Sequence, residues 1–113
     1  MEEASDLLHS SLQIFKELGD RHWEAVTKRN LGDVCRGLER LEESLEWFDA
    51  GLSVFREIGD RLSEGKTLTG LGRTRDLNGD ATAAAAAWRE ALTIFQELGV
   101  PEAAEVRRLL ERT

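Results

Sequence analysis

Tyrosine is missing from this chain, and cysteine, proline and methionine occur once each. The lone Cys35 excludes an internal disulfide and a thiolate zinc cluster. Aromatic side chains make up 6% of the sequence, too few for the stacking platforms that hold bases or sugars. No apolar run nears the roughly 20 residues that cross a bilayer, and the opening Met1-Glu2-Glu3 is acidic where a secretory leader is basic. Positive charge is scarce as well: 15 Lys and Arg face 22 Asp and Glu, for a formal net charge of -7 and a pI near 4.9. Phosphate backbones and anionic membranes repel such a chain, so neither nucleic acid nor membrane is an expected partner. A cytoplasmic setting is the simplest expectation.

The residues from which catalysis or metal binding is built are equally sparse. His9 and His22 are the only histidines, and they do not share a metal-ligand spacing. Cys35 sits on an apolar stripe, where packing is the expected role. Gly70-Leu71-Gly72 is followed by no Lys-Ser/Thr pair, so it is not a phosphate loop. The paired glutamates at 2–3 and 42–43 begin helices, where negative charge suits the helix dipole. No enzyme, cofactor or metal is expected.

A repeat is what the sequence does have. Leu12-Gln13-Ile14-Phe15-Lys16-Glu17-Leu18-Gly19 returns forty residues later as Leu52-Ser53-Val54-Phe55-Arg56-Glu57-Ile58-Gly59. It returns again as Leu92-Thr93-Ile94-Phe95-Gln96-Glu97-Leu98-Gly99. Asp20-Arg21 matches Asp60-Arg61, and Leu31-Gly32 matches Leu71-Gly72. A spacing held over two full periods marks tandem duplication.

Within each period the grammar is helical. Gly19, Gly59 and Gly99 stand where helices end, and Asp20 and Asp60 follow as N-caps. Pro101 takes over in the third copy, pre-set for a first helical turn. Asn78-Gly79-Asp80 marks a second break, whose counterpart Leu38-Glu39-Arg40 lacks the glycine. Apolar residues recur at spacings of three and four: Leu8, Leu12, Phe15 and Leu18, then Leu31, Val34, Cys35 and Leu38, then Leu45, Phe48, Leu52 and Phe55. Six helices are predicted, at 3–18, 21–38, 41–58, 61–78, 81–98 and 101–112. The fold class is all-α, with no strand pattern in competition.

These residues resemble the tetratricopeptide repeat. Leu71-Gly72 matches its Leu-Gly pair, and Ala84, Trp88 and Ala91 match the small-aromatic-small pattern of its second helix. Leu31-Gly32, Ser44, Phe48 and Gly51 do so one repeat earlier. The departures are a period of 40 residues against the usual 34, and Cys35 and Arg75 where an aromatic is usual. The long form with Gly-Asp-Arg at the joint resembles arrays in actinobacterial transcriptional regulators and signalling ATPases, and those of animal cell-polarity adaptors. Arginine far outnumbers lysine and alanine is abundant, which tilts the source towards GC-rich bacteria. The resemblance implies antiparallel helix-turn-helix repeats stacked as a short right-handed superhelix of about six helices. It divides 1–113 into a half repeat (1–18), repeats at 21–58 and 61–98, and a final or capping helix (101–112).

The resemblance also implies where a partner sits. First helices line the concave face, whose outward positions would be Val26, Arg29, Asp33 and Arg36, then Lys66, Thr69, Arg73 and Asp76. Asn30 takes the place from which relatives clamp a peptide backbone; Gly70 is its counterpart, so only one clamp is present. The stripe is locally basic and favours an acidic peptide or a free carboxylate. The expected function is a non-catalytic protein–protein interaction scaffold, part of a larger regulatory protein. Two other readings stay open: self-association into a homo-oligomer through open repeat ends, with Val106, Leu109 and Leu110 on an exposed flank, and an effector-sensing domain of a transcriptional regulator.

Overall fold

Asp20, Asp60 and Asp80 each start a helix by accepting a backbone amide three residues on, from Trp23, Ser63 and Ala83, at 3.1, 3.1 and 3.0 Å. Gly59 and Gly99 end helices in the left-handed conformation. In the computed structural model, which describes residues 2–112, these signals bound α1 (Glu2–Leu18), α2 (Arg21–Gly37), α3 (Leu41–Ile58), α4 (Arg61–Leu77), α5 (Ala81–Leu98) and α6 (Glu102–Glu111). Met1 and Thr113, the ends of the expected array, lie outside the described residues. The helices are those the sequence predicts, to within one residue at each end.

Successive helices pack in a line: α1 on α2, α2 on α3, α3 on α4, α4 on α5 and α5 on α6. The result is an all-α superhelical stack of extents 40 × 29 × 19 Å. Glycine sets how closely its layers meet. Phe48 of α3 is fully buried against Gly32 of α2 and Gly70 of α4, where an added Cβ would stand 2.9 and 2.6 Å from the ring. Trp88 of α5 is held in the same way against Gly72, one period on, and its Nε1 donates to the Thr69 carbonyl at 3.2 Å. Buried hydroxyls satisfy one another between layers. Ser44 donates to the Gly32 carbonyl at 2.8 Å, and its oxygen stands 3.0 Å from that of Thr74.

Ion pairs repeat with the period. Arg21 at the start of α2 holds Glu57 at the end of α3, and Arg61 holds Glu97 at 2.7 Å. Both pairs are exposed, so solvent screens them and they add little to stability.

Two expectations about the ends are corrected. Val106 and Leu109 are buried, with 1% and 4% of their surface exposed, and Leu110 packs partly buried against the same core. By period Val106 and Leu109 correspond to Lys66, which is exposed, and Thr69, which is buried; α6 packs its apolar side onto α5. On α1, by contrast, Leu18, expected in the apolar stripe, is 72% exposed.

Candidate partner-binding groove

The concave face is formed by α2, α4 and α6. A cavity of about 260 Å³ opens there, lined by Asp33 and Arg36 of α2, Lys66, Thr69, Gly70 and Arg73 of α4, Phe95 of α5, and Glu102 and Glu105 of α6. A second cavity of about 160 Å³ adjoins it, sharing Arg36 and Arg73 and adding Asp76, Leu77, Trp88 and Arg112. The two arginines therefore stand at the junction of one continuous groove.

Helix spacing explains the set. Positions 66, 69, 70 and 73 fall on one stripe of α4, and 33 and 36 on the matching stripe of α2. Arg36 is held by Asp33 at 3.2 Å and reaches the Gly70 carbonyl at 3.4 Å. Arg73 pairs with Glu105, and Lys66 stands 3.8 Å from Glu102. Gly70 leaves the groove floor without a side chain.

Six of the eight sequence-predicted residues (Asp33, Arg36, Lys66, Thr69, Arg73 and Asp76) line these two cavities; Arg29 and Asn30 do not. Arg29 lies with its guanidinium 5.8 Å from the centre of the Phe55 ring. Burial pushes its pKa below the usual arginine value, against the pull of Asp33 and Asp60. It is a packed cation more than a free one. Asn30 and Val26 are half-buried on α2. Thr69 is buried, and its hydroxyl donates to the Gly65 carbonyl at 2.9 Å, inside its own helix.

The charge of the groove also differs from the expectation of a basic stripe. Glu102 and Glu105 enter it from α6, so Arg36, Lys66 and Arg73 face Asp33, Glu102 and Glu105. Sequence reasoning missed both glutamates and Phe95. The available signal was the apolar stripe of α6 itself: if Ala103, Val106 and Leu109 turn inward, Glu102 and Glu105 fall on the neighbouring side. Among the described residues no cluster of three His, Cys, Asp or Glu could hold a metal ion, and no helix is long and apolar enough to cross a membrane.

An open, polar groove on stacked helical hairpins defines a repeat scaffold, a class whose members are typically non-catalytic. The chain belongs to the tetratricopeptide repeat family, whose model matches residues 1–57 and 23–97. It is 34% identical over 108 residues to the regulatory protein AfsR of Streptomyces griseus, a match that covers 96% of this chain and 11% of that protein. It thus spans about a tenth of the relative's length. The N-terminal domain of stress-induced protein-1 from C. elegans has the same fold, with a TM-score of 0.66 at 15% identity, covering 96% of this chain and 95% of that one. Domains of this family generally bind protein or peptide partners.

Proposed function

We propose that this array is the partner-binding module of a larger bacterial regulatory protein, acting in the cytoplasm without catalysis or cofactor. In this reading residues 1–18 are a half repeat, 21–58 and 61–98 are the working repeats, and 101–112 close the stack. The groove takes an extended, acidic peptide segment. The observation that carries this reading is the position of Arg36 and Arg73, shared by two adjoining cavities along one concave face. Arg73 and Lys66 are held by half-buried carboxylates still open to solvent, in pairs worth about 0–1 kcal/mol each. A ligand carboxylate can replace Glu102 or Glu105 at little cost, and the bidentate fork of arginine suits that exchange.

The test is capture of partners from source-cell lysate by the wild-type array and by Arg36→Glu/Arg73→Glu, with circular dichroism on both. Loss of capture by a folded variant supports the groove. Equal capture by both would move the binding surface elsewhere.

A further inference from the structure

The groove does not stop at the concave face. Arg36 borders three cavities: the one between α2, α4 and α6, the smaller one beside it, and a further one of about 440 Å³ lined also by Gly37, Glu39, Leu41 and Leu77. Leu77 borders the last two, so the path runs on around the edge where α2 and α4 end. Leu77 does not serve the core. Leu68 and Leu71 of α4 are buried and Leu62 packs half-buried on the core, whereas Leu77 is 62% exposed. Its counterpart forty residues earlier is Gly37, so the period does not demand a leucine there. Nor is it bare for want of neighbours: Gly37 and Leu41 stand on one side of it, and Trp88 of α5 and Arg112 at the end of α6 on the other.

Charge changes along this path. In the first cavity Arg36, Lys66 and Arg73 are matched by Asp33, Glu102 and Glu105. In the second, Arg36, Arg73 and Arg112 meet one carboxylate, Asp76, and the lining is net positive. In the third, Arg36 and Glu39 balance, and the rest of the lining is Gly37, Leu41 and Leu77. We infer that the partner segment has two parts: a carboxylate side chain seated between Arg36 and Arg73 in the net-positive cavity, and, a few residues away, a large apolar side chain laid on Leu77 and Leu41. Each part meets the chemistry that suits it. An arginine fork takes a carboxylate in two hydrogen bonds, and covering Leu77 removes from water an apolar surface that folding leaves exposed. A segment that is acidic throughout would leave Leu77 wet. This inference rests on the proposed function and names the kind of segment its groove takes.

Fluorescence anisotropy of labelled peptides with the full chain tests it. One peptide carries an Asp-Glu pair in a Gly-Ser background; the others add a single leucine one to four residues from the pair, on either side. At one position or more the leucine is expected to tighten binding to wild type about tenfold, as for covering much of one leucine side chain. The readout in each variant is the ratio of the two affinities. Leu77→Ala is expected to bring that ratio close to unity, and Leu77→Met, which keeps an apolar surface there, to retain most of it. Circular dichroism checks that both variants fold. Arg36→Glu/Arg73→Glu is expected to weaken both kinds of peptide. If the acidic peptide does not bind wild type, or binds the arginine variant as well, the proposed groove fails and this inference with it. An acidic peptide that binds but gains nothing from leucine at any position overturns this inference alone. So does a gain that Leu77→Ala keeps, or one that Leu77→Met loses equally.

Discussion

Glu39 occupies, at φ 62°, the left-handed backbone position that Gly79 holds forty residues later at φ 83°. Both sit in the turn between the two helices of a repeat, before Arg40 and Asp80. A side chain in that region costs about 1–2 kcal/mol from its Cβ, partly offset by the extra chain entropy that glycine loses on folding. Glu39→Gly is therefore expected to stabilise the array by about 1 kcal/mol and to raise its melting midpoint by a few degrees. Thermal and urea unfolding check this. An unchanged or lower midpoint would mean that the turn has relaxed around the glutamate.

The carboxylates of α6 give a second expected outcome. Glu102→Gln and Glu105→Gln release Lys66 and Arg73 from their present partners and leave the groove net positive. Folding stability is expected to change by less than about 1 kcal/mol, as for exposed ion pairs. Binding of a labelled acidic peptide, followed by fluorescence anisotropy, is expected to tighten several-fold and to depend more steeply on salt. Weaker binding would show that the glutamates contact the ligand themselves and would reverse the expected sign of the partner.

Most of the fold was legible because the forty-residue echo repeats the stops and starts as well as the apolar stripe. Gly59, Gly99, Asp20 and Asp60 mark helix ends by chemistry that acts within a few residues. Legibility failed where a neighbour decides. Val106 is buried where its forty-residue counterpart Lys66 is exposed, because the apolar side of α6 packs onto α5. Glu102 and Glu105 stand beside that apolar side and line the groove. Arg29 falls on the predicted outer stripe of α2, but the ring of Phe55 from α3 gives its stem and cation a packing partner. The stripe is therefore a good guide to α4 and a poorer one to the middle of α2.

Acid sensitivity follows from Asp60. Burial on its own raises the pKa of this carboxyl, but hydrogen bonds from the Ser63 hydroxyl and amide and from His22 outweigh it and hold the group below its usual value. His22 Nε2 stands 3.0 Å from its oxygen. A carboxyl depressed in the folded state contributes stability above its unfolded pKa of about 3.9, and that contribution is lost as pH falls through the lower, folded value. Asp60→Asn keeps a competent N-cap and removes the titrating charge. Its urea midpoint is expected to lie below wild type at neutral pH, with the gap closing in acid. A gap that stays constant with pH would mean that Asp60 acts through capping geometry alone.

The contrast between Leu109 and Leu18 decides whether α6 is a true cap. Both are leucines near the end of a terminal helix, yet Leu109 is 4% exposed and Leu18 72% exposed. A glutamate at 109 would bury a charge against α5, at a cost of about 3–5 kcal/mol, enough to detach α6 or unfold the stack. Detachment would also free Lys66 and Arg73 and leave Ala103 and Val106 in water. A glutamate at 18 only exchanges one exposed side chain for another, and its effect is expected within about 0.5 kcal/mol at low protein concentration. Hydrogen exchange resolves the two cases: in Leu109→Glu the α6 amides are expected to lose protection before those of α4, whereas Leu18→Glu leaves both as in wild type. If Leu109→Glu is tolerated as readily as Leu18→Glu, α6 does not close the array, and the groove is bounded by α2 and α4 alone.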